Sequence, residues 1–74
     1  MQSDPLVKYV YAVALKLNGL NDEAARQFRD IEDWGIDYIA YSEHGEGLRW
    51  AKKIMRKTKK HLAELSSVNG IAMS

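Results

Sequence analysis

The chain lacks cysteine altogether and has one proline among its 74 residues. Without cysteine, neither a disulfide nor a thiolate metal site can staple a domain this small. A core of this size rarely supplies more than roughly 3–5 kcal/mol by itself, so stability has to come from helix packing or self-association. Long apolar runs are missing too. The most apolar stretch, Leu6 to Leu17, is interrupted by Lys8 and Lys16 and is shorter than the ~20 residues a membrane-spanning helix needs. The residues before it, Met1 to Pro5, carry no Lys or Arg and include Asp4, unlike the basic start of a secretory signal; a cytoplasmic location is the expectation. What is present, 46% hydrophobic and 28% charged residues, is the composition of an ordinary folding domain and not of a disordered or collagenous chain.

The apolar pattern predicts three helices. Ser3, Asp4 and Pro5 form a start signal, because a short polar side chain accepts from the open amides of the first turn and proline there loses no needed donor. Helix 1 is expected over residues 5–18, ended by Asn18 and Gly19, with Leu20 folding back on its last turn. Helix 2, residues 22–41, is expected to be capped by Asn21 and to carry Ala24, Phe28, Ile31, Gly35, Tyr38 and Ile39 on one face. A break is expected near Gly35, and residues 36–41, rich in β-branched and aromatic side chains, read as either a strand or a further helical turn. After Gly45 and Gly47, helix 3 is expected over residues 46–65, opened by Ser42 or Glu43, with a frayed tail at 66–74. Leu48, Ala51, Ile54, Met55, Thr58, Leu62 and Leu65 lie within about a third of its circumference.

The near-neutral total, +1, hides a split. Residues 22–46 hold eight acids and two arginines, a net of −6, whereas residues 47–65 hold seven bases and one acid, a net of +6. The bland interpretation is two solvated faces that attract one another loosely, with Arg26–Asp30 and Arg29–Asp33 as i,i+4 pairs contributing about 0.2–0.5 kcal/mol each. The functional one is a polyanion site: Arg49, Lys52, Lys53, Arg56, Lys57, Lys59 and Lys60 all fall opposite the apolar arc of helix 3 and together create a local field that single charges do not. Five lysines against two arginines suit diffuse contact with a phosphate backbone better than bidentate reading of guanines.

Other constellations are weaker. Trp34-Gly35-Ile36-Asp37 looks like the turn of a helix-turn-helix, but the segment that would read the groove, Ile36 to Glu43, has no base and two acids. His44 between Glu43 and Glu46 reads as an exposed turn histidine before it reads as a metal or proton site. Asp30, Asp33 and Asp37 share a helix face at i, i+3, i+7, and a metal needs ligands from more than one element. Gly45-Glu46-Gly47 lacks the rest of any phosphate-loop fingerprint. No cysteine nucleophile is available, and the serines sit at expected caps or in the tail.

The expectation is an all-α protein, a small three-helix bundle of one domain, with apolar helix 1 central against an acidic helix 2 and a basic amphipathic C-terminal helix. It is expected to be no enzyme, to use no cofactor and no metal, and to bind nucleic acid or an acidic protein surface through the basic face. The rival expectation is a protein-interaction module or inhibitor engaging its partner through Trp34, Asp30, Asp33, Asp37 and Trp50. In size, charge split and lack of catalytic signatures the chain is similar in style to small accessory proteins of phages and plasmids, a likeness that no motif carries. Because Val7, Tyr9, Val10, Tyr11, Val13, Leu15 and Leu17 cover more of helix 1 than two neighbouring helices can bury, self-association as a dimer is expected.

Overall fold

The structure, a computed structural model, describes the backbone of residues 4–73 and the side chains of residues 4–66. It contains α1 (Pro5–Leu17), α2 (Asn21–Ala40) and α3 (Leu48–Met73), and no strand among the described residues. The chain is a small all-α three-helix bundle.

Local chemistry sets each boundary. Asp4 caps α1: its Oδ1 accepts from the amides of Leu6 (2.9 Å) and Val7 (3.3 Å), two donors that the first turn leaves without partners. Ser3 lies outside the described residues. At the far end Gly19, at φ 79°, donates to the Lys16 carbonyl and Leu20 to that of Leu15, both at 3.0 Å, which is the Schellman arrangement. Asn21 does not cap α2 as expected; Leu20 holds the cap position without a side-chain bond, and Asn21 is the first helical residue. The expected break falls at Gly35, whose φ of 85° and ψ of 165° lie in a region essentially closed to other residues. Residues 36–40 then resume as helix, which decides against a strand. Neither Ser42 nor Glu43 opens α3. The Ser42 hydroxyl donates back to the Ile39 carbonyl (2.8 Å), and the Gly47 carbonyl accepts the first helical amide, from Ala51 (3.0 Å). A Cβ at Gly45 would run into the carbonyl oxygens of Ile39 and Ala40, so this turn closes only around glycine. The backbone of α3 stays helical to Met73, past the expected end at 65; Ser74 lies outside the described residues.

Helix 1 is not central. Among the described residues the hydrophobic core takes six residues from α2, four from α3 and Ala12 alone from α1, whose other buried residue is Pro5 at its start, and α2 packs against both other helices. The reason lies in the inward side of α1. Lys8 and Lys16 turn toward the bundle, where Lys8 Nζ meets Asp30 (3.1 Å) and Gln27 (2.8 Å) and Lys16 Nζ meets Glu64 and His61. Apolar content distributed around a helix does not tell which side is buried. Helix 3 follows its pattern more closely, with Ala51, Ile54, Met55, Thr58 and Leu65 buried, Leu62 half-buried and Leu48 exposed.

Candidate polyanion-binding face

The seven cations of α3 sit on an unbroken helix, so their spacing follows from its geometry. At 100° per residue they span an arc of about 160°, and from residue 49 to residue 60 they extend over about 17 Å. That is roughly one positive charge per 2.4 Å, close to the one negative charge per ~1.7 Å of duplex DNA. Arg49, Lys52, Lys53, Arg56, Lys57, Lys59 and Lys60 are all exposed, and none of their side chains forms an ion pair or hydrogen bond among the described residues.

The acids of residues 22–46 do not neutralise this arc. Asp30 is taken by Lys8 of α1, and Glu23 pairs with Arg26 (2.9 Å) and accepts from Gln27 (2.9 Å). The expected Arg26–Asp30 and Arg29–Asp33 pairs do not form; the i,i+3 acid-before-base order of Glu23–Arg26 replaces the first. Glu64, one turn beyond the arc, is held by Lys16, which together with that lysine's charge lowers its pKa. The remaining acids divide further at Gly35. The helix breaks there, so the 100°-per-residue spacing from which Asp37 was expected to share a face with Asp30 and Asp33 does not run through. Among the residues expected to meet a partner, Asp33 and Asp37 are exposed, whereas Trp34 and Trp50 are half-buried against the core. Trp34 stacks on Tyr38 (centroids 5.1 Å) and lies 5.4 Å from the Lys8 ammonium.

Two titratable clusters were not legible in the sequence. His44 is no isolated turn residue: its Nδ1 bonds to Oδ2 of the buried Asp4, 40 residues earlier, so the turn before α3 is tied to the cap of α1. That bond, with the charge of Asp4, raises the His44 pKa. Burial pushes the Asp4 pKa up, but His44 and the Leu6 and Val7 amides outweigh it and the net shift is downward. Ligand atoms of Asp4, Glu43 and His44 lie within 4.8 Å of one another, a grouping that includes Asp4 in place of the expected Glu46. Both Asp4 oxygens are already engaged, one by the helix cap and one by His44.

The second cluster joins α1 to α3. The His61 ring stacks on Phe28 (centroids 4.8 Å, interplanar 7°), its Nδ1 faces Lys16 Nζ at 2.9 Å, and its Nε2 faces the Tyr9 hydroxyl at 3.2 Å. An ammonium only donates, so Nδ1 must accept and the ring proton sits on Nε2, donating to Tyr9. Burial, then the Lys16 charge, lowers the His61 pKa, and the imidazole is held neutral. Neither cluster includes a serine, threonine or cysteine.

Compared with family models, with curated proteins and with solved structures, the chain matches none.

Proposed function

We propose that this chain is a non-enzymatic, cytoplasmic binding protein that engages a polyanion, most directly the phosphate backbone of nucleic acid, through Arg49, Lys52, Lys53, Arg56, Lys57, Lys59 and Lys60. The observation that carries this reading is that all seven cations are exposed and without ion-pair partners among the described residues, while Asp30, Glu23 and Glu64 are engaged by Lys8, Arg26 and Lys16. Flexible lysines predominate, which favours contact with phosphates irrespective of sequence. The helical stretch after Gly35 is five residues long and holds one acid and no base, too short and without the cations of a groove-reading helix.

A mobility-shift series tests it. If about four duplex phosphates are contacted, the log–log salt slope is about −3.6, and affinity falls ~150-fold between 50 and 200 mM salt. Reversing Lys53, Arg56 and Lys60 to Glu should abolish binding and leave the helical circular dichroism unchanged. Failure to shift duplex or single-stranded nucleic acid at 50 mM salt overturns the proposal and transfers the functional surface to α2, with its exposed Asp33 and Asp37.

A further inference from the structure

Helix α1 is built inside out. Its charged residues, Lys8 and Lys16, face the bundle and are engaged by Asp30 and by His61 and Glu64, while its outward side carries Val7, Val10, Tyr11, Ala14 and Leu17 at spacings of three and four. Val7 is 47% exposed, Val10 58%, Tyr11 51% and Leu17 81%. No charged side chain interrupts this row, and the first polar residue beyond it is Asn18, at the cap. Val7 and Tyr11, an i,i+4 ridge, stand between two hollows. One, of about 440 Å³, is lined by Leu6, Val10 and His44 beside the ridge residues. The other, of about 360 Å³, is lined by the ridge with Lys8 and Gln27.

A ridge flanked by hollows on a helix is the shape into which another helix packs. We infer that the occupant is α1 of a second copy of this chain, the two helices crossing about a two-fold axis. Three observations select this partner. In a two-fold contact the same patch is supplied by both chains; the row itself carries no charge and meets itself without like-charge repulsion, while Lys8 at the edge of one hollow is paired with Asp30 and His44 at the edge of the other with Asp4. A membrane surface is disfavoured by the same arrangement, since helices that lie on bilayers place lysines and arginines along the polar edge, and those of α1 are turned inward and occupied. The area is that of a weak dimer: the row leaves roughly 400–500 Å² of apolar surface per chain, and two such faces, fully buried, give about 800–1,000 Å², the lower limit for a specific interface. The basic arc of α3 is not required by this contact, so the dimer and the polyanion site stand or fall separately.

Sedimentation velocity of the full chain at about 10 and 100 µM is the test, with Val10→Glu, Leu17→Lys and Lys53→Glu beside the wild type. Expected is a mass approaching twice the 8.4 kDa chain, reduced to the monomer mass by either α1 substitution and unchanged by Lys53→Glu. Both α1 positions are exposed, so helical circular dichroism is expected to persist; loss of helix in both variants at low concentration, restored by raising protein concentration, would mark folding coupled to the same interface. A wild-type monomer at 100 µM overturns the inference, as does a dimer that survives both α1 substitutions. Co-flotation of a monomer with neutral phosphatidylcholine vesicles would overturn it in favour of a lipid surface.

Discussion

Thr58→Val should stabilise this protein. Thr58, on α3, is fully buried, and its hydroxyl has no hydrogen-bond partner among the described residues. A buried hydroxyl without a partner costs about 1–3 kcal/mol in desolvation. Valine has nearly the same shape, the same β-branching and a similar helix propensity, so the exchange removes the polar cost without opening a cavity. The expected gain is about 1–2 kcal/mol, which for a domain of this size raises Tm by roughly 5–15 °C. Thr58→Ser keeps the hydroxyl but removes a methyl, and should lose about 1 kcal/mol through lost burial and the void left behind. Urea unfolding with linear extrapolation, run on both variants at one protein concentration, distinguishes polarity from packing. A Val variant that is less stable than the wild type would refute the reasoning, because it would mean that the Thr58 hydroxyl makes a bond worth more than its burial costs.

Gly35→Ala should destabilise the fold by about 1–3 kcal/mol, measured by the same urea curves; nothing lies within 4 Å of the added Cβ, so the loss would report backbone strain alone. The two histidines should titrate on opposite sides of the ordinary value of 6.5, His44 above it and His61 below, in NMR titrations of the ring protons. Their contributions to stability have opposite signs. For His44, whose folded pKa is raised, the contribution is fully present below pH 6.5 and is lost as pH rises through the folded pKa; His44→Ala should flatten that alkaline limb. For His61, whose folded pKa is lowered, stability declines as pH falls below 6.5, because the unfolded chain takes up a proton that the folded one resists. A stability profile that lacks both limbs would contradict these assignments.

The sequence by itself determined that there are three helices and the amphipathic character of α3, but not whether residues 36–40 are helical or where α3 ends. Apolar residues at spacings of three and four, Asp4 before Pro5, and glycines at 19 and 35 are local signals, and local signals fix local backbone. The basic arc was legible for the same reason: on a regular helix, position in sequence fixes direction. Tertiary structure decided what periodicity cannot express. Which helix is central depended on Lys8 and Lys16 finding Asp30, Glu64 and His61 inside the bundle, partners 22 to 48 residues away. The pairing of His44 with Asp4 spans 40 residues and had no local trace. Nor did the seven cations' lack of ion pairs among the described residues, since that depended on where the acids went. Helix 1 shows the division most plainly: its composition revealed more apolar surface than a small bundle can bury, but only packing determined that Val7, Val10, Tyr11 and Leu17 would be the residues left facing outward, because the side of a helix that is buried is set by the neighbours it meets.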